Sequence, residues 1–409
     1  MISVSNIPAR FGRLALLLVA SWTSFFISCP SGELPTTPAQ QPLFVNAPGG
    51  PVAVQGGPSN VLVADMNNDR KPDLVVALSQ TRAITVVEGK GNGQFGAALS
   101  TTTVTEAPGD MAVGDLNGDR NIDVAITSHD SYGVVLLAGD GKGGLAKAAN
   151  SPVVMKPGGQ HPHTHGLAVA DMNRDNKLDL ITCNNADNDI SLALGDGRGG
   201  FTNAPKSFPV GPSPYPFAIG DVNNDGWQDI VATASATGPS RREQLPLSRA
   251  LTLLLADGRG SFAPRQLPIR TGEPWFAAIA DLNRDGKADI VATHHEINAL
   301  TVMIGDGRGG FTEATGSPFD FGIAFLQFII ADVDRDETMD IVATTGNSLR
   351  VFLGDGRGAF KQAASIPVGP GAWRFAAADL NGDGGIDVVT SNSEGNSVNV
   401  LLARAANHL

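Results

Sequence analysis

Phe217-Ala-Ile-Gly-Asp-Val-Asn-Asn-Asp-Gly-Trp-Gln-Asp-Ile-Val-Ala-Thr233 carries the pattern that decides the fold. An apolar run enters a tight acidic loop, Asp221 to Asp229, and a second apolar run leaves it. The loop reads Asp-x-(Asn/Asp)-x-Asp-x-x-x-Asp. The chain writes it seven times, beginning at Asp65, Asp115, Asp171, Asp221, Asp281, Asp332 and Asp379, at intervals of 50, 56, 50, 60, 51 and 47 residues. Self-similarity at a fixed period marks a repeat architecture.

Each repeat contains more than the loop. In the fourth, Leu251–Leu255 follows, then a Gly-rich turn, Asp257–Phe262, then a weaker run near Gln266–Ile269. Four short strands joined by tight turns match one blade of a β-propeller. The Gly-rich turn recurs at Gly89–Phe95, Gly139–Leu145, Gly195–Phe201, Gly305–Phe311 and Gly354–Phe360. No helix follows it, so it reads as a hairpin turn rather than a phosphate cradle. The seventh repeat breaks off after Ser397–Leu402, with no fourth strand. Leu43–Pro48 parallels Phe201–Pro205, and Val52–Val54 parallels Phe208–Val210. The expectation is an all-β, seven-bladed propeller over residues 43–403, its ring closed by strands from both termini.

These loops and strands resemble the FG-GAP/VCBS repeat family, which includes the seven-bladed propellers of integrin α subunits. The resemblance covers residues 43–403, nearly the entire mature chain. It implies a binding or adhesion module for a protein or a glycan.

Oxygen donors at alternate positions of a tight loop suit a hard cation such as Ca²⁺. With side chains at positions 1, 3 and 5 and a closing carboxylate at position 9, the ligand sets are Asp65, Asn67, Asp69, Asp73; Asp115, Asn117, Asp119, Asp123; Asp171, Asn173, Asp175, Asp179; Asp221, Asn223, Asp225, Asp229; Asp281, Asn283, Asp285, Asp289; Asp332, Asp334, Asp336, Asp340; and Asp379, Asn381, Asp383, Asp387. Up to seven Ca²⁺ would bind. Plain Asp/Asn turns use the same residues. The sharp turn at position 6 favours glycine. Gly226, Gly286 and Gly384 rank loops four, five and seven tightest; Arg70 and Arg120 rank loops one and two weaker, and Glu337 departs from the pattern in loop six.

The formal charge of −12 follows from these loops. Three Asp per loop and Asp334 make 22 of the 41 acidic residues, so seven divalent ions would bring the chain to about +2. There is no basic patch for nucleic acid.

Residues 1–29 are of another kind. Arg10 and Arg13 precede an apolar stretch, Leu14 to Ser28, too short to span a bilayer comfortably. This reads as a signal peptide. Its end, Phe26-Ile27-Ser28-Cys29, resembles the bacterial lipoprotein box, with Phe26 in place of the usual Leu. Cys29 is therefore a candidate lipidation site, and the chain is expected to be exported, either anchored in the bacterial cell envelope or secreted. Residues 30–42 read as a flexible linker and 404–409 as a tail. Cys183 reads as a small buried hydrophobe.

Strand alternation sorts the connections by face. The acidic loops and Gly-rich turns share one face. The other receives the loops before each first strand and after each second strand. There lie His129, His161, His163, His165, Tyr215, Trp275, His294, His295, Trp373 and Arg374, and the long connection holding Arg241-Arg242-Glu243. This His- and aromatic-rich face is the expected partner-binding surface. The alternative is a propeller enzyme, a lyase or hydrolase, with a His-rich centre there. His161, His163 and His165 alternate beside His129, and imidazole suits Zn²⁺, Cu²⁺ or Fe. No recognisable catalytic constellation accompanies them.

Overall fold

The computed structural model describes residues 42–234, 249–294 and 297–404. The signal segment and Cys29, nearly all of the linker, Arg241-Arg242-Glu243, His295 and residues 405–409 lie outside the described residues. Among the described residues the fold is all-β, with one 3₁₀ turn at Asn185–Asp187.

The first repeat shows the plan: antiparallel strands Pro58–Ala64, Asp73–Leu78, Ala83–Gly89 and Phe95–Thr103 hydrogen-bond in chain order. Asp73–Leu78 is buried at every position, whereas Phe95–Thr103 is mostly exposed. A strand covered on both faces has no solvent side to encode, so it reads as an unbroken apolar run. Hydrophobic clusters fill the space between consecutive repeats. Val75, Ala77, Ile84 and Val86 meet Met111, Val124, Ile126 and Leu137, for example. A further cluster packs Val61, Leu74 and Val76 of the first repeat against Ala376, Val389 and Val400 of the last.

The seven loop repeats fall on six hydrogen-bonded sheets. Phe360–Ala378 runs for 19 residues without a break, serving as outer strand of the sixth repeat and inner strand of the seventh, so those two share one sheet. Three sheets carry an extra two-residue strand: Val153–Val154, Phe208–Pro209 and Phe319–Asp320 each pair with the third strand of their repeat. At the ends, Phe44–Asn46 pairs antiparallel with Leu401–Ala403, and Val52–Ala53 pairs with Ser397–Val398. Asn396 Oδ1 accepts the N–H groups of Gly56 and Gly57 at 3.2 and 3.0 Å.

The Gly-rich turns are hairpins, as read. Asp140 N donates to Gly144 O, and Asp140 Oδ1 accepts from Lys142 N and Gly144 N. Three turns also touch the acidic loop of the preceding repeat: Gly143 N donates to Met66 O and Gly199 N to Leu116 O, and Gly93 N of the first repeat donates to Leu380 O of the last.

Candidate functional site

All seven acidic loops share one backbone conformation. The position 1 carboxylate accepts the N–H of position 5 through Oδ1 and that of position 6 through Oδ2, as Asp65 does from Asp69 and Arg70 and Asp332 does from Asp336 and Glu337. Positions 4 and 6 both have positive φ, at 59° and 66° for Asn68 and Arg70 and 64° and 65° for Arg335 and Glu337. Sequence reasoning weighed position 6 alone. In loops one, five and six the position 4 side chain moreover bonds the next loop. Asn68 Nδ2 donates to Asn121 Oδ1 at 3.0 Å, Arg284 Nη2 donates to Asp336 O at 3.0 Å, and Arg335 pairs with Asp383.

Position 9 joins the loop to the sheet. Asp123, 2% exposed, accepts Leu116 N through Oδ2 at 2.9 Å and Gly139 N, at the end of the third strand, through Oδ1 at 2.9 Å. Six of the seven repeats make both bonds. Asp340 makes only the first, from Val333 N, and its buried Oδ1 has no hydrogen-bond partner. Burial, with Asp334, Asp332 and Asp336 close by, pushes the Asp340 carboxyl up to about 10, while burial moves Asp123 to about 6.

The donor chemistry tests these loops as cation sites. Ligand atoms of Asp332, Asp334 and Asp336 lie within 4.8 Å of one another, and the same loop holds the orphaned oxygen of Asp340. An all-oxygen set with a buried, unsatisfied acceptor fits a hard divalent ion. In loops one, three and five, the position 7 lysine places its ammonium on the position 5 carboxylate: Lys71 on Asp69, Lys177 on Asp175 and Lys287 on Asp285, at 3.1, 2.9 and 2.7 Å. An ion would compete with that charge.

On the opposite face, side chains five or six residues ahead of several loops meet one another. His165, Tyr215 and Trp275 occupy the same register in three consecutive repeats. Their rings stack, His165 on Tyr215 at 4.2 Å and 21° and Tyr215 on Trp275 at 4.1 Å and 24° between centroids and planes. β-Bulges aim them. The ladder skips between His165 and Leu167, at Gly166 with φ +70°, and between Pro274 and Phe276, at Trp275. A bulge interrupts alternation and turns a side chain out of the ladder.

His129, His163 and His165 converge, with ring centroids 3.9 to 4.8 Å apart. His163 and His165 flank Thr164, the first residue of strand Thr164–Ala170. Burial lowers the His165 pKa to about 3, with His163, His129 and Arg374 adding to the effect and Asp110 opposing it, so the ring is neutral at pH 7.

Asp110 sits at the mouth in the position equivalent to Arg374, five residues ahead of its loop. Arg374 Nη2 donates to Asp110 Oδ1 at 2.6 Å, and the bulge N–H of Gly166 donates to Oδ2 at 2.6 Å. Sequence reasoning missed Asp110; its register match to Arg374 and Gln327 was the available signal. Gln327 bonds the Phe375 backbone through both ends of its amide, Nε2 to O and Oε1 from N.

The remaining face residues lie elsewhere. His294 is the last residue of strand Asp289–His294, 1% exposed, with Nε2 2.8 Å from Thr301 Oγ1. It is a packed histidine and not part of the mouth cluster. His161 is exposed and donates its backbone N–H to Tyr132 Oη. Trp373 is 45% exposed. Cys183 is buried, with Sγ 3.3 Å from Pro214 O, consistent with a core role.

No curated protein matches the chain. Solved structures do. BBS1N, from its complex with ARL6DN, superposes with a TM-score of 0.61 at 12% identity, covering 89% of this chain and 98% of that one. An Agrocybe aegerita lectin that recognises non-reducing terminal N-acetylglucosamine gives 0.52 at 18% identity, covering 85% and 94%. A catalytically inactive virginiamycin B lyase from Staphylococcus aureus, with quinupristin, gives 0.51 at 11% identity, covering 88% and 100%. At such identities the likeness concerns the fold alone. The FG-GAP-like repeat matches residues 65–126, 115–182, 171–232, 281–343 and 332–390, spans that begin on acidic loops described above. With more than half of the sequence so matched, the chain belongs to the FG-GAP-like repeat family and has its β-propeller fold.

Proposed function

We propose that this chain is an exported seven-bladed propeller that loads calcium in its acidic loops and binds a protein or glycan partner at the His/aromatic mouth. Of the two partners, a glycan fits better. The carrying observation is the continuous stack of His165, Tyr215 and Trp275 across three repeats, flanked by Asp110 and Arg374. An aromatic platform beside fixed polar groups suits the apolar face of a sugar ring and its hydroxyls. The likeness to a lectin and to a protein-binding propeller supports a binding role. The terminal strand pairing and the cluster between first and last repeats support ring closure.

Calcium would hold the loops in their shared conformation. Loops two, four and six, whose position 5 carboxylates carry no lysine or arginine ion pair among the described residues, would load most readily. Loop seven would compete with Arg335. The test is glycan binding by calorimetry after an array screen, with Tyr215→Ala and Trp275→Ala. Each should weaken binding about tenfold or more. Equal affinity in both variants would move the partner elsewhere; binding to protein alone would select the other partner class.

A second reading, an enzyme of the lyase or hydrolase type, has one observation behind it. Three imidazoles converge beside Tyr215 and the Asp110–Arg374 pair. Turnover lost in His163→Ala while ligand affinity is kept would favour it.

A further inference from the structure

We propose that His129, His163 and His165 form a transition-metal site, of the kind that takes Zn²⁺, with an open coordination position facing the aromatic mouth. It goes beyond the binding reading, because neither calcium uptake nor partner recognition requires it.

The geometry is that of a three-histidine site. Ligand nitrogens of all three rings lie within 4.8 Å of one another, and His165 Nε2 is 3.0 Å from His163 Nε2. Nitrogen ligands at about 2.0–2.1 Å from a tetrahedral ion stand roughly 3.3 Å apart, so small side-chain shifts close the set. Two ligands flank Thr164, where strand Thr164–Ala170 begins, the third comes from the preceding repeat, and backbone hydrogen bonds tie them together. Thr164 N donates to His129 O at 3.1 Å, Thr164 Oγ1 donates to Ser131 O at 2.8 Å, and Asn185 N donates to His163 O at 2.8 Å. The contact between His129 Nδ1 and Asp130 Oδ1 at 3.1 Å leaves Nε2 as the ligating atom and supplies the outer carboxylate common behind metal-bound histidine.

The surroundings admit a divalent charge. Asp110 faces His165 already paired with Arg374, so the mouth presents that pair with no net charge toward the ion. Three nitrogen ligands with a fourth position left over is the pattern of sites that bind or activate a ligand, whereas structural sites are filled by four protein ligands. Borderline-soft imidazole selects Zn²⁺, Co²⁺ or Cu²⁺ over the Ca²⁺ that suits the oxygen loops. Tyr215, stacked on His165, would place an oxygen donor from a bound ligand between the ion and the aromatic row.

The test uses untagged full chain with Ca²⁺ in excess, titrated with Co²⁺ and followed by its visible d–d absorption. One Co²⁺ per chain with the intense bands of four-coordinate cobalt, displaced by Zn²⁺ and indifferent to Ca²⁺, is expected. His163→Ala and His129→Gln should each weaken binding at least tenfold, Asp130→Asn less, and His161→Ala not at all, with melting curves establishing that each variant folds. Weak six-coordinate bands, displacement by Ca²⁺, or equal affinity in His163→Ala would overturn the site. Glycan binding is measured separately with and without the metal, so loss of one reading leaves the other standing.

Discussion

Asp110 and Arg374 stand 264 residues apart in the chain, and their carboxylate and guanidinium meet at 2.6 Å across the mouth. Asp110 stands five residues ahead of the second acidic loop and Arg374 five ahead of the seventh. Burial alone would raise the Asp110 pKa; the Arg374 charge and the Gly166 N–H outweigh it and hold the carboxyl below its ordinary value of 3.8. A carboxyl depressed in the folded state contributes stability that is fully present above its unfolded pKa and is lost as pH falls through the folded one.

Arg374→Met should therefore destabilise the protein by about 3–5 kcal/mol at pH 7, because it strands a buried carboxylate. The deficit should shrink on acidification, as the unpaired Asp110 takes up a proton, and Asp110→Asn in the same background should recover part of it. Urea unfolding at neutral and acid pH measures this; a deficit independent of pH would assign the loss to packing.

Calcium removal gives a second outcome. An ion that binds only the folded chain stabilises by roughly 1–3 kcal/mol per site at about 10- to 100-fold excess over Kd. Adding a chelator should lower the melting temperature far more than the same ionic strength of sodium chloride. An unchanged melt would reduce the loops to Asp/Asn turns.

Position 9 separates loop six from the rest. Asp123→Asn turns an amide N–H₂ toward one of two backbone donors, Leu116 N or Gly139 N, and should cost about 1–3 kcal/mol in chelator. Asp340 has only one such donor, and with its pKa near 10 it is protonated at neutral pH without an ion. Asp340→Asn should cost less than about 1 kcal/mol in chelator, yet reduce calcium stoichiometry by one. Equal costs in chelator would contradict the role assigned to the missing bond.

The acidic loops were legible because their chemistry is local: donors at fixed spacing between apolar runs. The mouth was legible through strand alternation, which placed His129, His163, His165, Tyr215, Trp275 and Arg374 on one side. His294 misled because a one-residue offset reverses a side chain. It lies five residues after Asp289 and ends a buried strand, whereas His129 lies six after Asp123, beyond the strand Asp123–Thr127. Asp110 escaped because its register match to Arg374 does not say which side chains meet; packing between repeats makes that choice. The unbroken strand Phe360–Ala378 hid for a related reason: Pro367 and Pro370 suggest a break, and the sheet pairs on either side of them.

Backbone strain in the loops is measurable. Arg120 holds φ at +71°, a conformation that costs a side chain about 1–2 kcal/mol and glycine almost nothing. Arg120→Gly should stabilise the calcium-free chain by roughly 0.5–1 kcal/mol after glycine's larger unfolded-state entropy is counted. Gly384→Ala should lose about 1 kcal/mol, and for the backbone alone, since an added Cβ at this φ of +82° meets nothing within 4 Å. Opposite signs in chemical denaturation are expected; a loss in both would mean the Arg120 side chain contributes more than its strain.

Ring closure can be tested at its seam. Strand Ser397–Ala403 is bordered on its outer edge by Phe44–Asn46 and Val52–Ala53, and buried Ala47 and Val54 join the cluster between the first and last repeats. A chain starting at residue 56 keeps every acidic loop and loses that cover. It exposes the backbone N–H and C=O groups of Ser397–Ala403 and removes the apolar side chains that seal the seam. An uncovered edge strand is a template for pairing with another chain. Compared with a chain starting at residue 42, the shorter one should melt at lower temperature and self-associate in sedimentation. Supplying residues 42–55 as a separate peptide should restore both properties. An unassociated short chain with an unchanged melt would show that the two ends do not hold the ring together.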